Sequence, residues 1–120
     1  MMASLDIPTL LSQAEELRRS GNYNPAIPLY LQILDRVPNH LAAATGLAHC
    51  YLNTGLFDES LEFFRKAAQD HPQDVKTLLD LAKTYLMLGY DEEGRQAFLQ
   101  VLALDPNNEE AKRNLSYFQS

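Results

Sequence analysis

Residues 41–72, LAAATGLAHCYLNTGLFDESLEFFRKAAQDHP, decide the fold, because the same order of chemical types is written 34 residues earlier and 34 residues later. Pro38, Pro72 and Pro106 mark the period. With segments 7–40, 41–74 and 75–108 laid beneath one another, four further columns agree: Ala14, Ala48 and Ala82; Leu17, Tyr51 and Tyr85; Gly21, Gly55 and Gly89; Tyr30, Phe64 and Phe98. A fixed period of this size marks an array of supersecondary units, each too small to bury its apolar face alone.

Each unit reads as helix, turn, second helix, turn. In the central unit Leu47, Ala48, Tyr51 and Leu52 follow the 3–4 spacing of one helix face. Gly55 closes that helix, since the residue just past a helix end often takes a left-handed conformation that glycine adopts without steric cost. A second helix follows, with Asp58 as its expected N-cap, Glu59 and Glu62 near the first-turn amides, and Leu61, Phe64, Ala67 and Ala68 as its apolar stripe. Ala14, Ala48 and Ala82, set opposite Ala26, Ser60 and Gly94, let the two helices of each pair approach closely.

The first unit adds two prolines. Asn24 is the expected cap there and Pro25 the first helical residue, and Pro28 is expected to kink the helix without breaking it. Residues 1–6 read as a flexible lead-in. After Pro106, residues 109–118 read as a last helix, with Ala111, Leu115 and Phe118 inward and Lys112, Arg113 and Asn114 wetting the outer side.

In unit length, in the Gly and Pro columns and in the small-residue columns, residues 7–108 resemble tetratricopeptide repeats. The resemblance implies an all-α fold, an α-solenoid of stacked antiparallel helix pairs in a right-handed superhelix of about seven helices. It implies a single domain over 1–120, with repeats at about 7–40, 41–74 and 75–108 and a capping helix at about 109–118. Two features depart from the family pattern. The frequent aromatic four places in is replaced by Leu10, Ala44 and Leu78, and Asp91 stands where the other units have Tyr23 and Phe57, with Tyr90 one residue earlier.

The function that the resemblance implies is a non-catalytic protein–protein interaction module, binding an extended peptide or partner segment in a concave groove lined by the first helices. A self-associating assembly scaffold, or the docking domain of a larger protein, is the alternative. The family's groove offsets fall on Leu11, Glu15, Arg18, Thr45, His49, Leu52, Asn53, Lys76, Leu79, Lys83, Leu86 and Met87, with Leu52 and Leu86 equally suited to the core. One branch of the family clamps the C-terminal carboxylate of heat-shock chaperones with lysine, asparagine, asparagine, lysine and arginine. Those places hold Leu11, Glu15, Gly46, Lys76 and Asp80, so only Lys76 matches and that activity is not expected.

Composition narrows the choice. A formal charge of -6 over 120 residues argues against nucleic-acid and anionic-membrane binding, which need a basic surface. The first helices and the last one carry a net +1, leaving -7 elsewhere, so a groove ligand is expected to be a neutral or acidic peptide. Lone Cys50 excludes an internal disulfide and fits a reducing, cytoplasmic setting. His40, His49 and His71 lack the close spacing of a metal site and read as structural, and His49 and Cys50 point about 100 degrees apart on a helix. No catalytic, cofactor or metal site is expected, and the chain is expected to be a monomer or weak homo-oligomer.

Overall fold

The computed structural model describes residues 5–118, and among them the regular elements are all helical. They are α1 (Ile7–Arg19), α2 (Tyr23–Arg36), α3 (Leu41–Asn53), α4 (Phe57–Asp70), α5 (Val75–Met87), α6 (Asp91–Leu104), α7 (Glu109–Leu115) and a closing 3₁₀ turn, Ser116–Phe118. The starts of α1, α3, α5 and α7 are 34 residues apart, as are those of α2, α4 and α6. The expected seven helices are all present.

Local chemistry sets these starts and stops. Asp6, His40, Asp74 and Asn108 recur at the same 34-residue interval, and each side chain accepts the backbone N–H three residues on, at 2.9, 3.1, 3.0 and 2.9 Å. Each cap therefore satisfies one of the amides that a helix start leaves unpaired. At the other end Gly55 has φ +84, and Leu56 N–H donates to the Tyr51 carbonyl at 2.9 Å. This is the reverse turn that lets a helix end within two residues. Gly21 and Gly89 repeat it, with Leu17 and Tyr85 as acceptors.

Four boundaries differ from the sequence reading. α2 begins at Tyr23, so Asn24 does not cap it and Pro25 is its third residue; the helix runs unbroken through Pro28. α4 begins at Phe57, which places Asp58 inside the first turn, where its charge still favours the exposed amides. The last helix ends at Leu115 and tightens into the 3₁₀ turn. Of the supposed lead-in, residues 1–4 lie outside the described residues, Asp6 caps α1, and the Leu5 carbonyl accepts from Arg36 Nη1 at 2.5 Å.

The described residues form two compact units, divided between Ala67 and Ala68. In the first, α1 packs on α2 and α2 on α3, around Leu10, Ala14, Ala26, Tyr30, Ile33, Ala43, Leu47 and Cys50. In the second, α5 packs on α6 and α6 on α7, around Leu78, Ala82, Ala97, Phe98, Val101 and Ala111. The expected crossings are visible in both. Ser60 Oγ donates to the Ala48 carbonyl at 2.8 Å, and a Cβ on Gly94 would lie 3.3 Å from the Ala82 carbonyl. Gly46 marks another close approach, since a Cβ there would lie 2.4 Å from Cζ of the buried Tyr30.

Ala48→Leu is expected to cost roughly 1–3 kcal/mol, because the crossing has no room for the added volume. Gly46→Ala is expected to destabilise although alanine is the better helix former by about 1 kcal/mol, since the Tyr30 ring must move. Denaturant melts of both variants check this, and a midpoint unchanged in either would show that the site has slack. Burial pushes the Cys50 thiol up to about 11, so it holds its proton at neutral pH. Native protein at pH 7.5 is therefore expected to resist Ellman's reagent, whereas protein unfolded in guanidinium reacts at once.

Candidate functional site

In the first unit the candidate residues lie on α1 and α3, which touch one another. Leu11, Glu15 and Arg18 follow 4–3 spacing along α1, and all three are half-buried. Arg18 donates to the Glu15 carboxylate and, through Nε, to the Tyr30 hydroxyl at 3.1 Å. On α3, Thr45 Oγ1 donates to the Leu41 carbonyl at 3.0 Å, and Asn53 Nδ2 donates to the His49 carbonyl at 2.8 Å. The His49 ring stands edge-on to Phe64, with centroids 5.0 Å apart, which holds the imidazole half-buried at the surface of α3. The Cys50 side chain is fully buried, whereas the His49 ring is half-buried.

In the second unit the candidates lie on α5. Lys76, Lys83 and Met87 are exposed and Leu79 is half-buried. Lys76 Nζ lies 3.5 Å from Asp80, and Lys83 Nζ lies 2.9 Å from Glu110 of α7. Leu86 belongs largely to the core, packing where α6 crosses α5 and coming within 2.7 Å of where a Gly94 Cβ would be. Leu52 is half-buried.

Each cation of the candidate faces thus meets a carboxylate: Arg18 meets Glu15, which Arg19 also approaches at 4.0 Å, Lys76 meets Asp80, and Lys83 meets Glu110. The surface is therefore less basic than a count of its lysines and arginines implies. The Lys83–Glu110 pair has the most exposed carboxylate of the three, and a pair of that kind is worth only about 0–1 kcal/mol, so an incoming group displaces it at small cost, whereas the Glu15 and Asp80 carboxylates are largely covered. Sequence reasoning missed Tyr30 and Glu110 as partners of these residues. The Arg18–Tyr30 bond spans 12 residues, and only the antiparallel return of α2 along α1 brings the two together.

Among the described residues no three His, Cys, Asp or Glu side chains are grouped to hold a metal ion, and no helix is long and apolar enough to cross a membrane. The arrangement offers mixed polar and apolar helix faces.

Two sequence profiles described as tetratricopeptide repeat match the chain, over residues 11–75 and 57–116. Protein CTR9 homolog of Arabidopsis thaliana is 33% identical over 104 residues, which is 86% of this chain and 10% of that protein. General transcriptional corepressor ssn6 of Schizosaccharomyces pombe is likewise 33% identical, over 105 residues, again 86% of this chain and 10% of the relative. The chain thus spans about a tenth of the length of these relatives. Among solved structures, the first TPR of Spaghetti (RPAP3) bound to the HSP90 peptide SRMEEVD superposes with a TM-score of 0.85 at 23% identity, covering 97% of this chain and 92% of that one. The O-GlcNAc transferase of Thermobaculum terrenum superposes with a TM-score of 0.79 at 24% identity, over 95% of this chain and 22% of the enzyme. By its 34-residue period, its helix pairs and these profiles, the chain belongs to the tetratricopeptide repeat family.

Proposed function

We propose that the chain is a non-catalytic protein-interaction module that takes an extended peptide or partner segment along the first-helix faces, α1 with α3 and α5 with α7. The observation that carries this reading is the half-exposed mixture on those faces. The His49 ring, Leu11 and Leu79 provide apolar contact, while Asn53, Lys83 and the ion-paired Arg18 provide exchangeable hydrogen bonds. Peptide recognition needs that combination, with apolar contact for affinity and polar groups for register. Two structural neighbours support the class of ligand, one bound to an HSP90 peptide and the other, the second TPR domain of human RPAP3, bound to the HSP70 peptide SGPTIEEVD.

A terminal carboxylate is not the favoured ligand here. Glu15 and Asp80 occupy two of the five clamp places, and Lys76, at a third, is already paired with Asp80. The preferred segment is internal, neutral or mildly acidic, and largely apolar. A cytoplasmic setting belongs to the same proposal.

Capture from native lysate with immobilised wild-type protein, beside a His49→Ala, Lys83→Gln double variant that melts normally, tests the reading. Partners identified by mass spectrometry are expected to drop at least about tenfold with the variant, the equivalent of 1.4 kcal/mol of lost contact. Equal recovery from both proteins would remove the first-helix faces from the binding surface.

A further inference from the structure

Two residues of the first unit break apolar columns of the 34-residue register, and they meet one another. Tyr30 stands where the other units carry Phe64 and Phe98, and Arg18 where they carry Leu52 and Leu86. Arg18 Nε donates to the Tyr30 hydroxyl at 3.1 Å, and Nη2 donates to the Glu15 carboxylate. Tyr30 is fully buried, and its ring reaches from α2 to both first helices because Gly46 of α3 leaves it room. A Cβ on Gly46 would lie 2.4 Å from Cζ and 2.6 Å from the hydroxyl oxygen. The column of Gly46 is otherwise Ser12, Asp80 and Asn114. Packing alone is served by phenylalanine, as residues 64 and 98 show, so the hydroxyl adds something that packing does not need.

What it adds is a guanidinium held at Nε and Nη2. Nη1 has no hydrogen-bond partner among the described residues, and the Arg18 side chain is 27% exposed, so that edge is open to a segment lying along α1 and α3. Fixing a long side chain beforehand lowers the ordering cost of binding. Charge is constrained as well as geometry. The Glu15 side chain is 17% exposed and lies against Arg18, whereas Arg19, 4.0 Å from the same carboxylate, is 72% exposed and screened by water. An incoming carboxylate would be set beside Glu15, and like charges brought together at an interface oppose binding. A neutral carbonyl oxygen accepts from Nη1 without that opposition. Burial pushes the Tyr30 hydroxyl up to about 12, so it keeps its proton at neutral pH and adds no charge.

We infer that Arg18, Tyr30 and Glu15 form a subsite for a neutral carbonyl oxygen of the bound segment, supplied by an Asn or Gln side chain or by its main chain. Arg18 makes the contact, Tyr30 is its positioning residue, and Glu15 turns carboxylates away. This rests on the peptide-binding reading of the first-helix faces.

Random peptides displayed in a library and selected on the immobilised whole chain are the probes, and fluorescence anisotropy reads their affinity. Tyr30→Phe, which installs the residue of the other two units, is expected to weaken the selected peptides about fivefold with the melting midpoint unchanged. In an Arg18→Leu background the same change is expected to cost nothing, a coupling that a merely structural hydroxyl would not show. Peptides selected on wild type are expected to share an Asn or Gln where a side chain supplies the oxygen, and no fixed residue where the main chain does. Selection on Glu15→Gln is expected to bring Asp and Glu in at that place. Enrichment of Asp or Glu on wild type, an equal loss from Tyr30→Phe in both backgrounds, or no loss in either, would overturn the inference and leave peptide binding standing. A selection that yields no binding peptide would overturn both.

Discussion

The structure depends on how closely the two helices of a pair approach one another. At the crossing of α3 and α4 the Ser60 hydroxyl reaches the Ala48 carbonyl at 2.8 Å, a distance that two larger facing side chains would prevent. In α5 and α6 the equivalent residues are Ala82 and Gly94, and in α1 and α2 they are Ala14 and Ala26, all buried. Because the helices lie this close, the large residues that follow, Tyr30, Phe64 and Phe98, are fully enclosed. A close-packed interior of this kind transmits any added volume directly into strain.

Turn chemistry keeps that crossing in register. Each first helix is capped by a side chain one residue before it, Asp6, His40, Asp74 or Asn108. The first three pairs then reverse at a glycine with φ near +85. With both ends of the first helix set and the return confined to a few residues, the second helix has one way to come back. The roles within the array differ at the end. α7 has a cap and a buried Ala111 like the first helices before it, yet it carries Lys112 and Ser116 on positions that α3 and α5 give to apolar residues. Its face therefore mixes polar and apolar side chains where the earlier first helices are apolar.

On the first-helix faces the electrostatics are local. Arg18, Lys76 and Lys83 each meet a carboxylate, so the field felt by a ligand is that of ion pairs rather than of isolated cations. Such a surface discriminates through which pairs a ligand replaces and which it strands, since a polar group left unmatched costs more than a well-made hydrogen bond gains.

Much of the fold was legible in the chain. The recurrence of Ala48, Tyr51, Gly55, Phe64 and Pro72 at a fixed interval determined helix pairs, their number and their crossings, because each column answers to a local constraint of size, backbone conformation or helix termination. The cap column is harder to read, because histidine interrupts a set of two aspartates and an asparagine and shares with them only a side-chain acceptor within reach of the third amide. Only the tertiary structure decided the rest. It set the Arg18 guanidinium on the Tyr30 hydroxyl, Lys83 on Glu110, and Leu86 in the core. These are meetings of residues on different helices, fixed by the rotation and spacing of packed neighbours, and a periodic pattern along one chain specifies which face of a helix is apolar but not which side chains meet across the gap.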